Sequence, residues 1–342
     1  MTLTGKLFFF WCIILLSVLG CTKESTEDPQ ASFKGLVVPS HFPQPHYQFE
    51  NNPLTSEGFE LGRKLFYDPI LSVDSTISCA SCHAQVHGFA DHGIPVSHGI
   101  YGRQGKRNSL ALFNLAWTPA FMWDGGINHI EVMPIAPLTD TLEMGETMAH
   151  LVVKLSASST YPDLFGKAFG SSEITDQKLL FALAQYMSMI VSTDSKYDRM
   201  REARAAFTVE EQQGYEIYQS KCSSCHVEPL FTDFSYRNNG LDETFTDLGR
   251  KRITLNDDDL GKFKVPSLRN LAFTYPYMHD GRFNTLNKVL DHYDHQIVLS
   301  NTLDPALVNG IPLTDEERVV LIAFLNTLND YTFLSDRTIA EP

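Results

Sequence analysis

The sequence lacks cysteines that could form a disulfide framework. It has 6 cysteines in 342 residues. Cys12 lies in a predicted targeting segment, Cys21 directly follows that segment, and the other four fall in two short CxxCH motifs. No cysteine is therefore left to cross-link a domain through a disulfide bond, and another group has to stabilise each domain.

The chain also lacks an excess of positive charge and long low-complexity tracts. Lysine and arginine number 27 against 41 aspartates and glutamates, which gives a formal net charge of -14. Charge of this sign argues against nucleic acid or an anionic membrane surface as a direct partner, and it favours a basic protein partner. The length fits two domains, and a hydrophobic fraction of 43% is enough for ordinary cores.

The apolar run at the N terminus is too short to span a bilayer. It covers residues 7–19 and ends just before Gly20 and Cys21. The run is typical of a signal peptide, and a small residue before the first cysteine resembles the lipobox of bacterial lipoproteins. We predict a signal peptide at residues 1–20, then a lipid on Cys21 and a flexible tether at residues 21–50, with the protein in the periplasm or cell envelope. The alternative is an ordinary secretory signal with an incidental cysteine.

Two CxxCH motifs, at residues 79–83 and 222–226, predict two covalently bound haem c groups. Attachment of haem c needs two thiols that reach both vinyl groups and a histidine that ligates the iron from the same turn. A zinc site gives no reason for a histidine directly after each CxxC pair. A thioredoxin-like dithiol would follow a strand, whereas helical patterns precede both motifs. The predicted attachment residues and proximal ligands are Cys79, Cys82, His83, Cys222, Cys225 and His226.

Amphipathic patterns predict a mainly helical chain that looks like a duplicated cytochrome c unit. Thr208 and Thr314, each followed three residues later by a glutamate, are typical capping-box starts. A long Gly- and Pro-rich stretch at residues 84–142 is expected to wrap a haem. The predicted haem domains are residues 51–203 and 204–342, and the predicted helices are 57–65, 144–155, 175–192, 208–220, 286–293 and 314–328.

Several further motifs make the sequence similar to the bacterial di-haem cytochrome c peroxidases and their MauG-like branch, from about residue 52 to residue 328. The resemblance implies a mainly α fold of two cytochrome c-like helical domains, each enclosing one haem c. It implies that the first haem handles hydrogen peroxide and that the second receives electrons from a small donor such as a cytochrome c or cupredoxin-like protein. The landmarks are LGRKLF at 61–66, GKRN at 105–108, FMWDG at 121–125, LEMG at 142–145, PSLRN at 266–270 and YMHDG at 277–281.

The resemblance also implies residues of the reaction path. Glu143 matches the family's acid or base, which takes a proton from the near oxygen of peroxide and delivers it to the leaving oxygen. Its structural alternative is an acid at the start of a helix. Trp123 matches a tryptophan that conducts electrons between the haems, with simple packing as the alternative. Met133 departs from the family's glutamine, because a thioether cannot donate a hydrogen bond and can be oxidised.

The resemblance implies a displaceable sixth ligand at the first haem. His98 falls where the peroxidases place that histidine. His87 and His92 are rivals for the role, and a five-coordinate iron, as in the MauG-like branch, is a further alternative.

At the second haem, the resemblance places a ligand 14 residues after His279, where the peroxidases have methionine. The residue here is Tyr293, and MauG-like proteins carry a tyrosine ligand at this position. A phenolate stabilises the ferric state, whereas a thioether raises the potential. Met278 and His292 are the rivals.

The remaining expectations concern a cation, the partners and the function. Asn108, Thr274 and Pro276 match positions that supply oxygen atoms to a calcium ion between the domains, with turn formation as the alternative.

The leading function is an exported peroxidase that uses hydrogen peroxide and a small electron donor. A MauG-like oxidase of a protein or organic substrate and a non-enzymatic electron-transfer protein are the alternatives. Only the lipid would contact a membrane, and a homodimer is left open.

Overall fold

Helices and loops make up nearly all of the residues that the structure describes. The computed structural model describes Met1 and residues 33–342, so the predicted signal peptide and the lipid on Cys21 lie outside the described residues. Within residues 33–342, no helix has both the length and the apolar character needed to cross a membrane. The α-helices are α1 Ser56–Tyr67, α2 Cys79–Cys82, α3 Ile135–Thr139, α4 Met148–Ser156, α5 Tyr161–Phe169, α6 Asp176–Ser188, α7 Lys196–Arg201, α8 Val209–Lys221, α9 Lys251–Thr254, α10 Leu286–His295 and α11 Asp315–Asn326.

The remaining regular structure is short. Two antiparallel strands, β1 Tyr236–Arg237 and β2 Phe263–Lys264, pair with each other. The loops that follow each CxxCH motif contain short 3-10 turns, which are common in connecting segments. These turns include Gln85–His87, Ile100–Gly102 and Leu115–Trp117 in the Gly- and Pro-rich stretch at residues 84–142.

The amphipathic patterns located most long helices, but two predicted boundaries are wrong by four residues. The helix predicted over 175–192 ends at Ser188. The helix predicted from residue 144 begins at Met148, because the Thr147 hydroxyl accepts a hydrogen bond from the His150 N–H and caps it there. The preceding residues instead form a turn, in which the Asp140 carbonyl accepts the N–H of Glu143 at 3.0 Å. Glu143 is therefore a turn residue rather than the first acid of a helix. The patterns missed the helices α3, α5, α7 and α9.

One close helix crossing supports each CxxCH motif. On α1, a Cβ at Gly62 would overlap the carbonyl oxygen of Ala182 on α6. On α8, a Cβ at Gly214 would overlap the carbonyl oxygen of Val320 on α11. Both pairs of helices can approach this closely only because the crossing residue has no side chain.

Gly214→Ala is expected to lower the free energy of unfolding by about 1–3 kcal/mol, because the added methyl group has to push α8 away from α11. Gly166→Ala in α5 is the matched control, since the nearest atom to its new Cβ lies at 3.7 Å. The control should gain up to about 1 kcal/mol from better helix propensity. Denaturant unfolding of the haem-loaded protein measures the free energy of unfolding of both variants. Equal changes in the two variants would contradict the tight packing of α8 on α11 at Gly214.

The two halves share an unusual loop framework. Matched residues at three places have a left-handed backbone conformation that is uncommon for residues other than glycine. Each place follows a CxxCH motif in the same order, so the chain contains two copies of one framework. The matched φ angles are 56° and 55° at Phe89 and Phe231, 56° and 60° at Asn114 and Asn270, and 65° and 75° at Met122 and Met278.

Residues 36–49, which we call the strap, pack against the helical body. Phe42 is buried and meets the ring of Trp117 edge-on at 5.3 Å between centroids. The Trp117 Nε1–H donates to the Pro43 carbonyl at 2.7 Å, and the Tyr47 N–H donates to the Ala116 carbonyl at 2.9 Å. The prediction of a flexible tether is therefore wrong for the strap, because its aromatic side chains have a buried partner.

Candidate active site

The first CxxCH motif presents a histidine that is ready to ligate a metal. Cys79 and Cys82 begin and end α2, and His83 caps its C terminus. The Nδ1–H of His83 donates to the Phe89 carbonyl at 2.9 Å, which leaves Nε2 free for iron. Burial lowers the pKa of His83 and so favours the neutral ligand form. Both thiols are unpaired.

The second motif repeats this arrangement. The Nδ1–H of His226 points to the carbonyl oxygens of Phe231, at 3.2 Å, and Pro266, at 3.1 Å. Burial lowers the pKa of His226, and the thiols of Cys222 and Cys225 are unpaired. Two free thiols and an oriented imidazole at each motif fit covalent haem c.

Glu143 lies beside the first motif. Its carbonyl accepts the N–H of Ile100 at 2.8 Å. Gly99 allows this approach, because a Cβ there would overlap the backbone of Glu143. The pKa of Cys82 is raised to about 11, chiefly by burial. A hydrogen bond with Ser97 opposes this rise, and the negative charges of Asp91 and Glu143 add to it. Glu143 thus belongs to the loops that surround the first motif.

The environment of Glu143 suits proton transfer. Burial raises the pKa of its carboxyl group, and the negative charge of Asp140 raises it further. A carboxyl group whose pKa is raised towards neutrality can both accept and return a proton.

The histidines predicted as sixth ligands of the first haem occupy different environments. His98 has an exposed side chain whose Nε2 lies 3.2 Å from the amide nitrogen of Gln104. His92 is held at both ring nitrogens, by the Tyr275 hydroxyl at 2.6 Å and the Phe273 carbonyl at 3.3 Å. It also stacks on His87 at 4.0 Å. These contacts make His92 a poor rival, and His98 stays a prediction.

Met133 is buried in the turn that precedes α3. Its N–H donates to the Ile130 carbonyl at 3.3 Å. The side chain therefore contributes apolar volume at the position where the resemblance implies a hydrogen-bonding glutamine.

Trp123 lies between residues from both halves of the sequence. Its buried indole donates from Nε1 to the Asn108 carbonyl at 2.8 Å. The indole meets the His279 ring edge-on at 6.5 Å, and the His279 ring stacks on Phe263 at 3.7 Å. This position agrees with the predicted role as a conduit, which stays a prediction.

Asn239, which the sequence patterns did not indicate, lies between two residues that could ligate the second haem. The Asn239 amide nitrogen lies 3.5 Å from both the Met278 sulfur and the Tyr293 hydroxyl oxygen. Burial raises the pKa of Tyr293, and the nearby thiols of the second motif contribute to the rise. The Nε2 of His292 is already bound to the Asn239 carbonyl at 2.9 Å, so His292 is the weakest rival. Tyr293 and Met278 both stay available as ligands.

The predicted calcium residues are linked to one another through an intervening segment. The Asn108 amide donates to the Pro95 carbonyl at 3.0 Å. Two residues earlier along the chain, the Gly93 N–H donates to the Tyr275 carbonyl at 3.2 Å, and Tyr275 lies between Thr274 and Pro276. Within residues 33–342, no group of three or more His, Cys, Asp or Glu side chains is arranged to hold a metal ion. Calcium therefore stays a prediction.

Two oriented CxxCH sites in a duplicated helical framework define a di-haem c-type cytochrome. Residues 56–206 match the family model for di-haem cytochrome c peroxidase. The methylamine utilization protein MauG of Methylorubrum extorquens is 34% identical over 328 residues, which cover 91% of this chain and 90% of that protein. The chain therefore belongs to the di-haem cytochrome c peroxidase and MauG family, and it is an oxidoreductase with two haem c groups.

Two other similarities agree with this assignment. Cytochrome c551 peroxidase of Nitrosomonas europaea is 34% identical over 245 residues, which cover 70% of this chain and 73% of that protein. A solved structure of a MauG-like protein associated with microbial copper homeostasis superposes with a TM-score of 0.81 at 31% identity. The matched region covers 89% of this chain and 98% of the chain in that structure. The prediction of two cytochrome c-like helical domains is confirmed.

Proposed function

We propose that this protein reduces hydrogen peroxide to water at the first haem site, with two electrons from a small redox protein that enter at the second. The observation that carries this proposal is the contact of the Glu143 turn with Gly99 and Ile100 in the loop after the first motif, together with a raised carboxyl pKa. A protein that only transfers electrons needs no such acid or base at one of its two haems.

The chain's own residues perform the proton chemistry. When bound, the haem supplies a redox-active iron that delivers electrons to peroxide. The Glu143 carboxylate accepts the proton from the near oxygen of peroxide and returns it to the leaving oxygen, which departs as water. The Nδ1–H bond from His83 to the Phe89 carbonyl fixes the orientation of the proximal imidazole.

A basic electron donor is the partner that best matches the charge of the chain. The formal net charge of -14 attracts a positively charged redox protein and accelerates its encounter with this one. Salt screens this attraction over about 8 Å at physiological ionic strength. The association rate should therefore fall as salt is added.

Asp140→Asn should move the acidic limb of the pH profile of kcat/KM for peroxide to lower pH. The negative charge of Asp140 is one cause of the raised pKa of Glu143, so its removal lets the carboxylate form persist in more acidic solution. The turn should survive, because the asparagine oxygen can still accept the Leu142 N–H that Asp140 Oδ1 accepts at 2.8 Å. An unchanged acidic limb would show that Glu143 does not control the profile.

A MauG-like oxidation of a protein or organic substrate is the second candidate function. The observation that favours it is Tyr293, which lies near the thiols of the second motif and within reach of the Asn239 amide. Addition of peroxide to the fully oxidised protein separates the two functions. A persistent spectral change supports the oxidase, whereas a reaction only after one haem has been reduced supports the peroxidase.

We further propose that the protein is exported and lipid-anchored at Cys21. The support is the short apolar run at residues 7–19 followed by Gly20 and Cys21.

A further inference from the structure

A buried relay of charged side chains starts in the strap. The side chains of Asp198 and Arg269 are both 0% exposed, and two nitrogens of the guanidinium group donate to the two carboxylate oxygens at 2.8 and 2.7 Å. From the strap, the Nε2 of His41 lies 2.9 Å from Asp198 Oδ1. The Nδ1 of His41 is buried without a hydrogen-bond partner, and it lies 3.6 Å from a carboxylate oxygen of Glu202.

The other end of the relay reaches the loop that holds His226. Arg269 donates from Nε and Nη2 to the Pro229 carbonyl at 3.0 and 2.8 Å. Its guanidinium group also lies over the Phe231 ring at 5.6 Å. The carbonyls of Phe231 and Pro266 are the two acceptors that face the Nδ1–H of His226.

We propose that His41 is a positioning residue for His226, the proximal ligand of the second haem, and acts on it through Asp198 and Arg269. The hydrogen bond at the Nδ1 of a proximal histidine sets the basicity of the ligand and so the reduction potential of the iron. Docking of the strap and the potential of the second haem are therefore coupled. This proposal rests on haem attachment at His226 and does not depend on the reaction with peroxide.

The relay belongs to the second haem alone. In the repeated loop framework, Asn270 corresponds to Asn114, so the residue that corresponds to Arg269 is Phe113. A phenylalanine cannot form an ion pair or donate to a backbone carbonyl. Through this relay His41 can therefore tune one haem without changing the other.

The test is a spectroelectrochemical titration of both haems in the full-length, haem-loaded protein. His41→Ala should lower the potential of the second haem, because removal of the donor to Asp198 leaves the buried negative charge less compensated. The loss of one hydrogen bond to a charged group predicts a change of up to about tenfold in the equilibrium constant for reduction, or about 59 mV. The potential of the first haem should not change.

Two further variants make the titration decisive. His41→Gln keeps a donor near the position of Nε2 and should restore most of the wild-type potential. His46→Ala removes an exposed histidine of the same strap and should have no effect. A wild-type potential in His41→Ala, or an equal shift at both haems, would overturn the proposal. Peroxide turnover is not measured, so a failure here is distinct from a failure of the proposed function.

Discussion

Glu143→Gln is expected to lower the rate of peroxide consumption by about 10²–10⁴-fold. The amide has almost the same size as the carboxyl group and can still form hydrogen bonds, but it cannot accept the peroxide proton at neutral pH. The backbone contact between the Glu143 carbonyl and the Ile100 N–H does not involve the side chain and should survive. The measurement is steady-state peroxide consumption with a reduced small cytochrome as donor.

Glu173→Gln provides the control for this substitution. Glu173 is an exposed acid in the same half of the sequence and lies between α5 and α6. The control should keep the wild-type rate and the spectra of both haems. Equal rates for the Glu143→Gln protein and the wild type would remove the main support for the peroxidase.

Asp198→Asn is expected to lower the free energy of unfolding by about 3–5 kcal/mol. The substitution leaves the Arg269 guanidinium buried without a negative partner, because both side chains are fully removed from solvent. It also weakens the attachment of the strap through His41, which lies 2.9 Å from the carboxylate. Urea unfolding of the haem-loaded protein, followed by circular dichroism, measures the loss.

Asp194→Asn tests whether burial causes this effect. Asp194 also pairs with arginines, at 3.3 Å to Arg199 and 2.7 Å to Arg204, but its side chain is 38% exposed. Solvent screens such pairs, so the expected loss is below about 1 kcal/mol. Comparable losses for Asp198→Asn and Asp194→Asn would contradict a special role for the buried pair.

The pH dependence of this pair has a definite sign. Its hydrogen bonds and the charge of Arg269 hold the pKa of Asp198 well below its usual range despite burial. The pair therefore stabilises the fold fully above the usual carboxyl pKa of about 4, and this stability is lost as the pH falls below that value.

The haem attachment was predictable because the CxxCH motif by itself specifies how the two thiols and the histidine are arranged. Two thiols and a histidine in one turn define the ligand set without knowledge of the rest of the chain, and the structure places both imidazoles with Nε2 free. Most of the long helices were predictable for a similar reason, since capping boxes such as those at Thr208 and Thr314 mark helix starts locally.

Contacts between distant parts of the chain were not predictable. His41 meets Asp198 across 157 positions of sequence, and no local pattern indicates such a contact. Asn239 was missed because a single asparagine in a loop carries no periodic signal. One available signal was overlooked, namely the repeat of Asn-Leu-Ala-aromatic-Thr at residues 114–118 and 270–274, which marks the duplicated loop framework.

Electron paramagnetic resonance of the haem-loaded protein tests most directly the claim that the first site is the reaction centre. Spectra are recorded for the oxidised and half-reduced protein, before and after peroxide is added. We predict that, in the half-reduced protein, peroxide changes the signal of the iron held by His83 and that Glu143→Gln slows this change. Two six-coordinate irons whose signals do not respond to peroxide in either redox state would contradict the account.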